Sequence, residues 1–279
     1  LLEKGFRMDG ELAYWNHGYG FDSPEYWKTM TVEEYQQNIY NHFQALGSHF
    51  GNRISLWLLN EQNLPWSNCT GMSWEEKLST YQKVMDGLYA GYPNARNIVS
   101  SIAMPYGWNQ EILEDTKTRP AKGISFPVYL DMVQERGLPL DTIGLEFYHF
   151  GVDLPRTTVA PGLSLAAIAR TMDLYNKYEL PINIVEFQVP SSQEPGTSWL
   201  HHPWDEATQA EFTRDFYTLA FGTEYMQGVQ WSAFVSDNIS FLINAGILDE
   251  KYQPKPVYYT LKDLISSWTT AGSAVTDEN

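Results

Sequence analysis

Ile54-Ser-Leu-Trp-Leu-Leu-Asn60-Glu61 is the stretch on which the reading of this chain turns. It is an apolar run of strand length that stops on an amide and a carboxylate. A second stretch, Ile182-Asn-Ile-Val185-Glu186, does the same. A charged side chain directly after a buried strand is costly unless it faces a polar cavity or a partner. Two such endings in one chain therefore point to a polar site at the strand ends.

Reading outward, strand-like and helix-like stretches alternate. The expected strands are Gly10–Tyr14, Ile54–Leu59, Ile98–Ile102, Thr142–Phe147, Ile182–Val185 and Gly228–Ala233. The expected helices are Val32–His49 with Thr31 as N-cap, Ser73–Tyr89, Pro127–Arg136 closed by Gly137, Ser164–Tyr178, Glu206–Thr218 and Lys255–Trp268. Repeated strand–helix units imply a parallel sheet covered by helices. The closed (β/α)8 barrel and the open doubly wound sheet both have this pattern. The open sheet would usually carry a Gly-rich phosphate loop after its first strand. None is present, so the expected class is α/β, a TIM (β/α)8 barrel. In that barrel, catalytic residues stand at the C-terminal ends of strands.

The chain has 279 residues, a formal charge of −16 and a pI near 4.7. Such acidity repels phosphate backbones, so no nucleic-acid partner is expected. No apolar run is long enough for a transmembrane helix, and no membrane partner is expected. The single cysteine, Cys69, cannot close an internal disulfide. No CxxC or HExxH spacing points to a metal, and no cofactor is expected. Aromatic residues make up 15% of the chain, with ten Trp and eighteen Tyr. Aromatic faces fill cores, and they also stack on the apolar faces of sugar rings. Trp66, Trp108, Trp199 and Trp204 fall in loops after strands and are candidate stacking platforms. A pair of carboxyl groups in this setting has the chemistry of glycoside hydrolysis. One group protonates the leaving oxygen, and the other attacks the anomeric carbon or activates water.

These residues resemble clan A glycoside hydrolases, and among them family 10, the endo-β-1,4-xylanases. The C-terminal part is the most specific. Val235-Ser-Asp237, Gly246-Ile-Leu-Asp249 and Tyr252-Gln-Pro-Lys-Pro-Val-Tyr258 are similar to that family's ending in order and wording. Arg136-Gly-Leu-Pro-Leu, Asp141-Thr-Ile-Gly-Leu-Glu146 and Gln209-Ala-Glu211 also resemble its phrases. The resemblance implies Glu61 as acid/base, Glu186 as nucleophile, and Asn60 as a contact to the sugar 2-hydroxyl. Asp9-Gly-Glu-Leu-Ala-Tyr-Trp-Asn-His17 resembles the third-strand phrase, which makes Trp15 a subsite wall and Asn16 or His17 a sugar hydrogen-bonder. Trp231, at the last strand, would floor the sugar beside the scissile bond.

The chain departs from the family at several places. Glu11 stands for a His, Val185 for a Thr, Glu146 for a Gln and Gln188 for an Asp. Tyr148 or His149 stands near the His that orients the nucleophile. Each change touches substrate contacts or nucleophile tuning, and both central carboxylates remain. On this mapping the chain covers about strands three to eight, with a catalytic barrel over 1–268 and a tail or linker over 269–279. The implied enzyme is a retaining endo-acting β-glycanase, xylan being its foremost substrate. β-Glucan, mannan, exo-action and a non-catalytic sugar-binding barrel are the alternatives. The expected partner is a polysaccharide or oligosaccharide. The expected setting is secreted, extracellular or periplasmic, as a monomer or as part of a longer multidomain chain.

Overall fold

The structure is a computed structural model that describes residue 3 and residues 8–16, 25–64, 66–68, 70–103, 123–147, 165–192, 204–236 and 244–268. The strands are β1 (Asp9–Tyr14), β2 (Leu56–Leu59), β3 (Ile98–Ala103), β4 (Thr142–Phe147), β5 (Ile182–Phe187) and β6 (Met226–Trp231). The helices are α1 (Val32–Phe50), α2 (Trp74–Gly91), α3 (Phe126–Glu135), α4 (Leu165–Asn176), α5 (Glu206–Phe221) and α6 (Pro256–Trp268). Among the described residues one α-helix lies between each pair of successive strands, and the sheet order is β1-β2-β3-β4-β5-β6. A doubly wound sheet reverses its strand order at a switch point. This sequential order has none, so the barrel expectation holds.

Local chemistry sets the helix ends. Thr31 and Glu34 form a reciprocal capping box at α1, and Ser73 and Glu76 do so at α2. The Thr31 amide, then its hydroxyl, hold the Glu34 carboxyl below its ordinary pKa. The Asp205 carboxylate accepts from the Thr208 N–H at the start of α5, over 2.7 Å. Gly137, at φ +63°, ends the α3 segment in the left-handed conformation that glycine tolerates.

The chain divides into two compact units, residues 1–146 with 171–185, and residues 147–170 with 186–279. In the first unit β1, β2, β3 and β4 pair in parallel. Tyr35, Ile39 and Phe43 form the buried stripe of α1. Helices α1 and α2 approach closely through glycine. A Cβ on Gly87 would stand 2.3 Å from the Tyr40 carbonyl oxygen, and one on Gly91 would stand 2.2 Å from that of Gln44. Below the strand ends, Leu56, Leu58, Val99 and Val185 form one apolar cluster.

The second unit is built around stacked phenylalanines. Phe187 stacks on Phe216 at 4.1 Å and Phe216 on Phe212 at 6.3 Å. Trp204 meets Phe212 edge-on and is 1% exposed, so this loop tryptophan is a core residue and not a stacking platform. Lys255 is almost wholly buried. Its ammonium donates to Ser191 Oγ, Asn244 O and Gly246 O at 2.8 Å and to Ser236 Oγ at 3.3 Å.

In the first unit the Ile143 N–H of β4 donates to Pro181 O just before β5, and in the second the Gln188 N–H just after β5 donates to Phe147 O.

Candidate active site

The expected site residues fall into two groups, one in each unit. In the first unit, Asn60 and Glu61 follow β2 directly. Both are buried, at 3% and 4% exposure. The Asn60 N–H donates to the Tyr14 carbonyl of β1 over 2.8 Å. The Asn60 carbonyl accepts from Gln62 Nε2 over 2.6 Å. Glu61 adopts φ +48°, in the left-handed region that a glutamate rarely occupies. Such a conformation persists only where its surroundings over-determine it, and it concentrates at functional sites. Trp66 Nε1 donates to Glu61 Oε2 over 2.6 Å, which fixes one carboxylate oxygen from the same loop.

That loop is tied down along its length. Trp15 Nε1 donates to Ser67 Oγ over 3.1 Å, and Asn16 Nδ2 donates to Thr70 Oγ1 over 3.3 Å. Asn63 Nδ2 donates to Ile124 O, and the Ile124 N–H donates back to Asn63 O. Asn68 bonds both polar backbone groups of Met72 at the entry to α2. Trp15 is half-buried and Asn16 fully buried. Both side chains thus bond the loop that carries Glu61.

Glu146, near the C-terminal end of β4, is fully buried in this group. Ser101 of β3 lies between it and Asn60, with its Oγ 2.7 Å from Glu146 Oε1 and 2.5 Å from Asn60 Oδ1. Sequence reasoning named Glu146 and Asn60 and passed over Ser101. The signal was present. Ser100-Ser101 interrupts an apolar strand, where a buried hydroxyl needs a partner.

In the second unit, Glu186 is half-buried within a strand whose other residues are buried. It falls inside β5, one residue before the strand's end. Gln188 is buried. Trp231 lies edge-on to Phe187 at 5.2 Å, and its Nε1 donates to Ala245 O over 3.2 Å. It packs against Ala233 and Ala245. His17, Tyr148 and His149 lie outside the described residues. Among the described residues no group of three or more His, Cys, Asp or Glu side chains could hold a metal. Among them, too, no helix is long and apolar enough to cross a membrane.

The family model for glycosyl hydrolase family 10 matches residues 3–264. Endo-1,4-beta-xylanase B of Neocallimastix patriciarum is 23% identical over 270 residues, 95% of this chain. The chain spans 28% of the length of that relative. Among solved structures, xylanase 10B from Thermotoga petrophila RKU-1 in complex with xylobiose superposes with a TM-score of 0.68 at 18% identity. That match covers 95% of this chain and 76% of the other. A mutant xylanase10C from Cellvibrio japonicus in complex with xylopentaose gives 0.67 at 17% identity, covering 95% and 55%. These likenesses carry the (β/α)8 barrel fold. The match over 3–264 carries the family, and this chain belongs to glycosyl hydrolase family 10.

Proposed function

We propose that this chain is the catalytic part of an endo-acting xylanase that cleaves β-1,4-linked xylan with retention at the anomeric carbon. The observation that carries this reading is Glu61, buried after Asn60 at the end of β2 and gripped by Trp66, in a chain of this family. The structural neighbours that hold xylobiose and xylopentaose support xylan as the substrate class.

In the first step Glu61 gives its proton to the glycosidic oxygen while a Glu186 oxygen attacks the anomeric carbon. The carbon–oxygen bond breaks, and the leaving sugar departs as an alcohol. In the second step Glu61, now a carboxylate, takes a proton from water. The water oxygen attacks the anomeric carbon and frees Glu186. Retention requires the two carboxyl groups about 5–5.5 Å apart, against about 6.5–9.5 Å for inversion.

The test is reducing-sugar release from xylan, β-glucan and mannan by wild type and Glu186→Ala, with the anomer of the first product read by proton NMR. Xylan cleavage with a β-product, abolished in the variant, is expected. Cleavage of β-glucan or mannan alone would keep the mechanism and overturn the substrate. An α-product would overturn retention. No cleavage by a folded protein would favour a sugar-binding barrel.

A further inference from the structure

Glu61 stands at φ +48°, a backbone conformation that a glutamate seldom adopts, and the bonds around it show what holds it there. The angle φ is the rotation about the Glu61 N–Cα bond. It is set by where the Asn60 carbonyl stands relative to the Glu61 carbonyl. Both carbonyls are held. The Asn60 carbonyl accepts from Gln62 Nε2 over 2.6 Å, and the Glu61 carbonyl accepts from the Leu64 N–H over 3.0 Å. The second bond closes a turn over Glu61, Gln62, Asn63 and Leu64, and Asn63 ties that turn to Ile124.

Gln62 makes a further contact. Its Nε2 donates to the Tyr14 carbonyl of β1 over 3.3 Å. An NH2 group carries two protons, and here two carbonyl oxygens meet it. Turned over, the amide would set its own oxygen against those two oxygens, with no proton between any of them. The acceptors therefore fix which way the amide faces. The Tyr14 carbonyl also accepts from the Asn60 N–H over 2.8 Å, which uses both of its lone pairs. Asn60 and Gln62 are both buried, so little water competes for these bonds.

We propose that Gln62 is a positioning residue that aims the Glu61 carboxyl by tying the Asn60 carbonyl to β1. Trp66 holds the far end of the Glu61 side chain, and Gln62 holds the peptide from which that side chain springs. Without the Gln62 donor, the Asn60–Glu61 peptide loses the contact that favours positive φ. Glu61 then relaxes to the negative φ that a residue with a Cβ prefers. That rotation swings the Cα–Cβ bond and carries the carboxyl away from its place. The catalytic half of this inference rests on the xylanase reading above, in which Glu61 is the acid/base. The backbone half does not.

The test uses wild type and Gln62→Met, which keeps the length of the side chain and removes the donor. Crystal structures come first. Glu61 should keep positive φ in wild type and turn to negative φ in the variant. Positive φ in both overturns the proposal, and so does negative φ in wild type. If Gln62→Met does not fold, Gln62→Asn, whose shorter amide cannot meet both carbonyls, is read in its place with the same outcomes. Kinetics on aryl xylobiosides then test the carboxyl. The value of kcat/KM reports the step in which Glu61 gives its proton. A phenyl leaving group needs that proton, and a dinitrophenyl group departs without it. The variant should lower kcat/KM about ten- to a hundredfold on the phenyl substrate and at most about twofold on the dinitrophenyl one. Equal loss on both would mark general damage and overturn the positioning role, as would an unchanged rate on both. A wild type inactive on every β-glycan would count against the xylanase reading alone, and the structures would still decide what holds the backbone.

Discussion

The indole nitrogen of Trp66 lies 2.6 Å from Glu61 Oε2, and the two residues share one loop after β2. The bond holds one carboxyl oxygen of Glu61 in place. Replacing Trp66 by Phe keeps most of the ring and removes the donor. Leaving the buried carboxyl without this donor costs about 1–3 kcal/mol, so kcat/KM on xylan should fall roughly five- to a hundredfold. Initial-rate kinetics on xylohexaose would check this. An unchanged rate would show that Glu61 is positioned without the indole.

The first unit holds a buried cation. Lys77 of α2 is 7% exposed, and its ammonium sits 4.4 Å from the centre of the Trp74 ring. Burial pulls its pKa down to about 7. The unfolded chain keeps this lysine protonated up to about pH 10.4. Between these values the unfolded state binds more protons, so this group makes stability rise as pH rises from about 7 to about 10.4. Lys77→Met should therefore stabilise the protein at pH 6, on the order of 2 kcal/mol after the lost cation–π contact. The gain should shrink towards pH 10. Urea melts at both pH values measure it, and a variant less stable at pH 6 would contradict the account.

Gly87→Ala sets helix propensity against packing. Alanine is favoured over glycine in a helix by about 1 kcal/mol. Here its Cβ would meet the Tyr40 carbonyl oxygen at 2.3 Å, and backbone cannot yield as a side chain tip can. Overpacking costs about 1–3 kcal/mol or more, so a net destabilisation of about 2 kcal/mol is expected in denaturant unfolding. A neutral or stabilising outcome would mean that α1 and α2 can move apart freely.

Lys255 joins Ser191 in the segment after β5 to Ser236, Asn244 and Gly246 in the segment after β6. Methionine at this position fills the volume and leaves buried acceptors without a donor. A loss of about 3 kcal/mol in unfolding free energy is expected. The kcat of Lys255→Met should also fall, because Ser191 follows closely on Glu186. Full stability with full activity would reduce these four bonds to a passive contact.

The order of the elements was legible because its causes are local. Thr31 with Glu34 and Ser73 with Glu76 announce helix starts within four residues. The apolar runs before Asn60 and up to Glu186 announce buried strands. The repeat of strand and helix, with no phosphate loop, then leaves the barrel as the consistent class. Both carboxylates were candidates in the sequence, since a charge directly after an apolar run demands an explanation in any fold.

Tertiary structure alone decided what those groups touch. Ser101 stands 41 residues from Asn60 and 45 from Glu146, and only the parallel pairing of β3 with both β2 and β4 brings it between them. Trp204 reads as a loop residue in the sequence and is core in the structure, because Phe212 of α5 packs against its ring. Periodicity and capping act within a few residues and are written along the chain. Register and burial are set by contacts between residues far apart in it, and these depend on the whole sheet forming at once.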